Sequence, residues 1–201
     1  NDGTGAELWR TDGTPAGTFV VRDLVAAGGS DPDLLKAAGG LLYFRANDGV
    51  HGLELWQSDG TADGTRLVLD VNPVGDSFPR GLTPLGGSLY FSADDGLLGR
   101  RLWRTDGTTV TAVWPAEAIA EEWAPSWLTA FAGKLFFSAG DADHGVELWA
   151  SDGTAAGTGR VHDLVAGPGS GAPAQLTTTS NRLYFSATTP EGGREPWRSD
   201  G

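Results

Sequence analysis

Residues 145–164 read GVELWASDGTAAGTGRVHDL, and residues 52–71 read GLELWQSDGTADGTRLVLDV. A third copy lies at residues 5–24 as GAELWRTDGTPAGTFVVRDL, and a damaged fourth copy lies between the others. A tryptophan anchors each copy at intervals of 46 to 48 residues: Trp9, Trp56, Trp103, Trp149 and Trp197. A second anchor keeps the same register: LLYF at 41–44, SLYF at 88–91, KLFF at 134–137 and RLYF at 182–185. Two anchors in step predict a tandem-repeat protein.

Each repeat contains four short apolar runs, which are clear in residues 33–71. The runs alternate with period two or are continuously apolar, and Gly, Asp, Asn or Pro bounds each of them. This pattern predicts four strands, here called a, b, c and d in chain order. A lone four-stranded sheet leaves an apolar face uncovered, whereas sheets packed face to face around an axis cover both faces. The sequence therefore predicts an all-β chain, a β-propeller of four-stranded blades with about 47 residues per repeat.

The predicted domain is the whole of residues 1–201, with units 7–53, 54–100, 101–146 and 147–194 and a partial unit 195–201. These amount to four blade-equivalents. They form either a closed four-bladed ring, in which the last a–b strands join the first c–d strands, or an arc of a larger ring. The arc is slightly favoured because EPWRSDG would be a surplus strand in the closed ring, competing with ELWRTDG, and Pro196 weakens it as a central strand. The chain has no initial Met and no signal-peptide pattern, so we expect a processed product or an excised piece.

The recurring pattern ELW-x-[ST]-D-G-T-x-x-G-T resembles the bacterial ELWxxDGT repeat family, a group of tandem-repeat exported proteins. The match extends over essentially the whole chain. The resemblance implies a propeller and a secreted or cell-surface location. It implies no particular activity, because the family carries none that could be transferred.

Most motif residues are expected to be structural. The Asp-Gly pairs suit tight turns, in which the Asp carboxylate accepts turn N–H groups. The Glu of each ELW motif needs a partner if it is buried, and Arg22, Arg45 or a backbone amide could supply one. The LYF residues are expected in the core: Leu42, Phe44, Leu89, Phe91, Leu135, Phe137, Leu183 and Phe185.

Antiparallel order places the b–c and d–a loops on one face, and these loops differ most between the repeats. The d–a loop of the third repeat carries Glu121, Glu122 and Trp123, and an exposed Trp beside acids suits sugar stacking or a protein contact. His51 and His144 of two b–c loops complete the predicted ligand-binding residues. Trp127 is expected in the core, Trp114 at the blade's outer edge, and residues 116–123 are the only helical candidate.

Metal and catalytic signatures are weak. Asp141 and Asp143 are spaced like the start of a calcium loop but lack its later ligands, so calcium is a secondary expectation and no other cofactor is predicted. There is no Cys and no GxSxG, P-loop or HExxH motif. No catalytic residue is predicted, and we expect the protein not to be an enzyme.

Composition limits the partners. The net charge of −12 disfavours nucleic acid and anionic membranes, and no apolar run is long enough to insert in a bilayer. The sequence therefore predicts an extracellular recognition or scaffold module for glycan or protein, which could complete a ring as a homo-oligomer. A calcium-assisted lectin and a glycan-acting hydrolase are the alternatives.

Overall fold

The computed structural model describes residues 5–201, which form seventeen short β-strands. That part of the chain contains no α-helix. The segment 116–123 forms only a single 3₁₀ turn, Glu121–Trp123. Between residues 5 and 201 no helix has the length and apolar character needed to cross a membrane. The predicted all-β class is confirmed.

The strands fall into five antiparallel sheets, in which each strand pairs with its neighbour in sequence. Sheet I holds β1 (Leu8–Arg10) and β2 (Phe19–Arg22). Sheet II holds β3 (Asp33–Ala38), β4 (Leu41–Asn47), β5 (Leu53–Ser58) and β6 (Arg66–Leu69). Sheet III holds β7 (Arg80–Leu85), β8 (Ser88–Asp94), β9 (Arg100–Thr105) and β10 (Val110–Trp114). Sheet IV holds β11 (Ser126–Phe131), β12 (Lys134–Asp141), β13 (Gly145–Ser151) and β14 (Thr158–His162), and sheet V holds β15 (Ala174–Thr178), β16 (Leu183–Thr189) and β17 (Gly193–Ser199).

The sheets stand side by side in chain order, as in a propeller. The first strands of successive sheets contact one another, β3 with β7, β7 with β11 and β11 with β15. The Thr83 hydroxyl donates to the Leu128 carbonyl across one junction at 3.1 Å, and the Thr129 hydroxyl donates to the Leu176 carbonyl across the next at 3.3 Å. Sheets I and V remain separate, and no sheet closes into a ring. The pairing of the last a–b strands with the first c–d strands, which a closed four-bladed ring requires, is therefore not formed between residues 5 and 201.

The core lies between the sheets. Leu55 and Tyr43 of sheet II pack with Leu89 and Phe91 of sheet III. Tyr90 of sheet III packs in turn with residues of sheet IV. Because both faces of the middle sheets are apolar, burial against two neighbours removes far more apolar surface from water than either sheet could remove alone. The core prediction for the LYF residues is confirmed, except that Leu42 is only partly buried.

The repeated tryptophans contribute to the same junctions. Trp56, Trp103 and Trp149 are nearly buried, whereas Trp9 of sheet I is 54% exposed. Trp114 lies in the edge strand β10, as expected, but its ring packs on Trp149 of the next sheet with centroids 4.7 Å apart. The extra tryptophan is therefore part of the packing between sheets III and IV.

The SDGT segments form self-contained c–d turns, as predicted. The Asp59 Oδ1 accepts hydrogen bonds from the Thr61 amide at 2.8 Å and the Thr61 hydroxyl at 2.7 Å. The Ser58 and Thr65 hydroxyls close the base of the turn at 2.7 Å. A Cβ on Gly64 would lie 2.0 Å from the Asp59 carboxylate, which explains the second glycine of the motif. The same Asp–Thr bonds recur at Asp12, Asp106 and Asp152.

Candidate functional site

The Glu of the ELW motif holds the d–a loop that forms the variable face. Glu54 is fully buried, and its carboxylate accepts the Val71 amide at 3.2 Å, the Ser77 amide at 3.0 Å and the Ser77 hydroxyl at 2.6 Å. Glu7 and Glu147 bind their own d–a loops in the same way. Burial raises the pKa of Glu54, while these hydrogen bonds act in the opposite direction. The partners are loop amides and a hydroxyl rather than Arg22 or Arg45.

The third repeat lacks this anchor because Arg101 stands in place of the Glu. Its guanidinium turns instead to the Pro115 carbonyl at 2.9 Å and the Asp95 carboxylate at 3.4 Å. The d–a loop that follows is the one that includes the 3₁₀ turn Glu121–Trp123, and we call it the exceptional d–a loop. A cavity lies beside this loop.

Every complete first strand carries a β-bulge at its second residue. The register shifts directly after the first residue, and the second residue has a positive φ: Leu34 (52°), Gly81 (62°), Trp127 (56°) and Gln175 (58°). Such backbone suits glycine and is uncommon for a bulky side chain. The bulge is thus common to all four sheets that have a first strand, while its side chain differs in each.

Trp127 is the aromatic member of this series. Its side chain is 50% exposed, so the prediction that it belongs to the core is wrong. The bulge explains the error, because it breaks the alternation of inward and outward residues that the prediction assumed. The bulge itself recurs in every complete first strand, so what distinguishes this position is the exposed indole that it carries.

Trp127 forms one wall of a cavity of about 330 Å³ at the junction of sheets III and IV. The other principal lining side chains are polar: Arg80, Ser92, Arg100, Glu121 and Glu122. They come from the first two strands and the start of the third strand of sheet III, and from the exceptional d–a loop. The cavity therefore lies on the variable face and combines one aromatic surface with convergent charged groups.

Arg100 is the most constrained of these charged groups, since it is only 6% exposed. Its Nη1 donates to the Phe78 carbonyl at 3.0 Å and the Ser92 carbonyl at 3.1 Å, and its Nε donates to Glu121 Oε1 at 3.3 Å. Burial lowers the pKa of Arg100, and the positive charge of Arg80 lowers it further. Arg80 takes part in none of the ion pairs formed between residues 5 and 201.

Two of the predicted ligand-binding residues, Glu121 and Glu122, line this cavity. Trp123 is partly buried and packs over the sheet of its own repeat, where a Cβ on Gly140 would lie 2.9 Å from its Cδ1. The aromatic surface that the cavity offers is therefore Trp127, four residues later. Binding by Trp123 stays a prediction.

His51 and His144 lie in different b–c loops, and the structure does not bring them to the cavity. His51 Nδ1 contacts Asp48 Oδ2 at 2.6 Å, and His144 Nδ1 contacts Asp141 Oδ1 at 2.8 Å. The Asp48 hydrogen bond raises the pKa of His51, although partial burial opposes it. Both histidines thus brace their own turns.

The proposed calcium ligands are engaged in the same way. Asp141 Oδ1 accepts the amides of Asp143 and His144 at 3.0 and 2.9 Å, so that oxygen already serves its own loop. Within residues 5–201, no group of three or more His, Cys, Asp or Glu side chains is arranged to hold a metal ion. The geometry adds no support for calcium there.

Two cavities of about 400 Å³ are larger but offer fewer groups that could bind a ligand. One lies on β12, β13 and β14 of sheet IV beside Lys134 and Arg160, and its aromatic residue, Phe136, is 1% exposed. The other lies between sheets I and II and is mainly apolar, with Trp9 on its wall. The first offers no exposed ring. The second sets Trp9 beside only two charged residues, Arg10 and Asp59, whereas four charged residues line the smaller cavity, which is therefore the better candidate.

Sequence reasoning missed Arg80, Arg100 and Trp127 as a group. One signal was available in the repeats. Asp33 and Arg45 lie opposite each other in sheet II, and the equivalent residues of sheet III are Arg80 and Ser92. The other signal is the Arg100–Arg101 pair in place of the usual apolar residue and Glu. The positive φ that exposes Trp127 leaves no mark on its own sequence.

No family model matches this chain, and no curated protein matches it. Solved structures share its fold. A puromycin-hydrolyzing peptidase from Mycobacterium tuberculosis matches with a TM-score of 0.59 and 16% identity, over 92% of this chain and 29% of that one. The β-propeller domain of the Trilobed protease from Pyrococcus furiosus, which has an open velcro topology, matches with a TM-score of 0.55 and 11% identity, over 83% and 51%. A putative TolB from Agrobacterium tumefaciens matches with a TM-score of 0.54 and 12% identity, over 96% and 69%.

These similarities support a β-propeller-like fold, and at such low identity they support the fold alone. The chain spans about three tenths of the length of the peptidase. Propeller-like sheets occur in enzymes, so the fold by itself does not decide whether this chain is catalytic.

Proposed function

We propose that this protein is a non-catalytic, extracellular recognition module that binds a glycan in the cavity beside Trp127. The observation that carries the proposal is the half-exposed indole on the wall of a cavity that two arginines and two glutamates also line. Sugars present apolar C–H faces and a rim of hydroxyls, and an aromatic ring with adjacent polar groups complements both. A protein ligand is the competing outcome of the test.

A binding role fits the two glutamates better than a hydrolytic one. Glu121 has a side chain that is 65% exposed and already accepts a hydrogen bond from Arg100. A carboxyl group that already accepts a hydrogen bond from an arginine is suited to accept others from sugar hydroxyls, whereas glycoside hydrolysis also needs a carboxyl that donates a proton.

The test is retention on a glycan array by the parent and by Trp127→Ala. Trp9→Ala is the matched control, because Trp9 is similarly exposed (54%) but lies in sheet I. We expect Trp127→Ala to lose about 2 kcal/mol of binding, roughly thirtyfold in affinity, with little change in melting temperature. Equal retention by the parent and Trp127→Ala would reject the site.

The same assay addresses the alternatives. Binding should be equal in calcium and in EDTA, and a loss in EDTA would instead favour a calcium-assisted lectin. Release of shorter sugars during incubation would favour a hydrolase. Retention of protein ligands but of no glycan would contradict the proposed ligand class.

We also propose that the five sheets are an arc of a larger propeller. The likeness to propeller domains and the side-by-side order of the sheets support this arrangement. The repeat number in the complete coding sequence tests it, since a protein with no further repeats and no self-association would contradict it.

A further inference from the structure

The two arginines of the cavity are arranged differently from arginines elsewhere in the repeats. In sheet II, Arg45 lies opposite Asp33 and its Nε donates to that carboxylate at 2.8 Å. In sheet III, Arg80 occupies the position of Asp33, and its cross-strand neighbour is Ser92. Arginine thus stands where sheet II has an acid, and serine stands where sheet II has the arginine, so Arg80 has no acid opposite it.

Arg194 provides a comparison for Arg100, because both precede the Glu position of their repeats. Arg194 uses Nη1 to bond Ser186 and Nη2 to bond the Ala172 carbonyl at 3.0 Å. Arg100 uses Nη1 and Nε, but within the described chain no acceptor is bonded to its Nη2. The more buried arginine therefore retains donor capacity on a side chain that lines a cavity.

Like charges at one cavity wall are unfavourable unless an anion lies between them. Burial lowers the pKa of Arg100 most, the positive charge of Arg80 lowers it further, and Glu121 opposes both. Glu121 bonds only the Nε edge of Arg100, and between residues 5 and 201 neither Glu121 nor Glu122 forms an ion pair with Arg80. A planar carboxylate matches the donor fork of a guanidinium and would relieve the repulsion.

We propose that the ligand is an acidic glycan, whose sugar carboxylate binds Arg80 and Arg100 while a sugar ring stacks on Trp127. This inference rests on the glycan-binding function proposed above and names the substrate class. Arg80 and Arg100 lie on the sheet III side of the cavity, and Trp127 lies on the sheet IV side. The two contacts would therefore secure the ligand from opposite sides.

The experiment measures the affinity of the folded chain for oligogalacturonate, oligomannuronate and oligoguluronate. Methyl-esterified oligogalacturonate serves as the uncharged match. We expect the parent to bind at least one acid form about tenfold or more tightly than neutral oligosaccharides, since a hydrogen bond to a charged group typically contributes that much. Binding of the acid form should weaken as salt is raised.

Arg80→Gln is the principal variant, because the exposed side chain can be changed without disturbing the core. It should lose about tenfold in affinity for the acid form and little for the methyl ester. Arg198→Gln is the matched control, since it removes the same charge from an exposed residue of sheet V. Trp127→Ala should weaken acid and ester alike.

The outcomes separate the two proposals. Tight binding of neutral glycans with no preference for acid forms would overturn the acidic-glycan inference and leave glycan recognition standing. Binding of neither class would overturn both proposals. Binding of poly-glutamate but of no oligouronate would overturn the acidic-glycan inference in favour of an acidic protein segment.

Discussion

At the scale of single residues, the side chains that recur from repeat to repeat and those that occur in one repeat alone have opposite roles. Glu54 recurs at the same position of other repeats and has a structural role, since its carboxylate accepts hydrogen bonds from two amides and a hydroxyl of the d–a loop. Trp127 is not repeated and is half exposed. Repetition therefore marks the scaffold, and departures from the repeat mark the surface where a ligand can be distinguished.

The Glu54 anchor predicts a specific loss of stability. Glu54→Gln should destabilise the fold by about 1–3 kcal/mol, because one carbonyl oxygen cannot accept three donors and the new NH₂ group faces some of them. Glu195→Gln is the control, since it makes the same change at the same motif position in an exposed residue. Chemical denaturation measures both variants, and equal midpoints would contradict the anchoring role.

The backbone at Trp127 predicts that glycine is tolerated there. Trp127→Gly should keep or slightly raise the melting temperature, because a left-handed φ of 56° costs an L-residue about 1–2 kcal/mol and costs glycine almost nothing. Gly81 occupies the equivalent bulge in the preceding sheet. Trp123→Gly should lower the melting temperature, since its ring packs on Gly140. A large destabilisation in Trp127→Gly would show that the indole contributes to packing.

At the scale of elements, the c–d turns are closed mainly from within, although neighbouring sheets also contact them: Arg10 donates to the Gly60 carbonyl and Gln57 to the Gly107 carbonyl. Each c–d turn is closed by hydrogen bonds among its own Asp, Thr and Ser residues, as at Asp59. The d–a loops that follow Glu7, Glu54 and Glu147 instead depend on a buried Glu from another strand, as at Ser77 and Glu54. Changes in a c–d turn should therefore remain local, while changes in a d–a loop reshape the binding face.

The turn carboxylates predict a pH-dependent contribution at Asp152. The Thr154 hydroxyl and amide lower the pKa of Asp152 below its usual 3.8. A depressed carboxyl pKa stabilises the fold above pH 3.8, and this stabilisation is lost as the pH falls through the folded-state pKa. Asp152→Ala should lower the melting temperature by a few degrees at pH 7, and the difference should shrink in acid.

Asp152→Asn separates the hydrogen bonds from the charge in this test. Its Oδ1 can still accept from Thr154, so it should lose less than Asp152→Ala at pH 7. A gap between the parent and Asp152→Ala that stays constant from pH 7 into acid would contradict the lowered pKa.

At the scale of the whole molecule, stability is distributed between neighbouring sheets. Leu89 and Phe91 of sheet III and Leu135 and Phe137 of sheet IV are fully buried, and they belong to clusters that join adjacent sheets. In repeat proteins of this kind, stability is approximately a sum of unit and nearest-neighbour contributions. Sheets covered on both faces should therefore be the last to open.

Hydrogen exchange measures that order directly. Amides of β8 and β12 should exchange most slowly, because these strands are almost wholly buried. Amides of β1 and β17 should exchange faster, since their side chains are mostly exposed. Uniform protection in all five sheets would show that the chain opens as one cooperative unit instead of sheet by sheet.

The sequence alone determined the repeat period, the four strands of each complete sheet, the Asp-Gly turns and most of the core. All of these follow from local rules, namely period-two alternation, turn chemistry and the need to bury aromatic residues. It also pointed to the third d–a loop, and Glu121 and Glu122 do line the cavity.

Only the tertiary structure decided which tryptophan faces that cavity and which cations join it. Trp123 and Trp127 are both aromatic residues near one loop, and a single bulge turns the second outward. Arg80 and Arg100 are twenty positions apart and line one cavity only because β7 and β9 flank β8 in sheet III. The bulge that exposes Trp127 occurs at residues as different as Leu34, Gly81 and Gln175 in the other sheets, so the residue type at that position does not encode it.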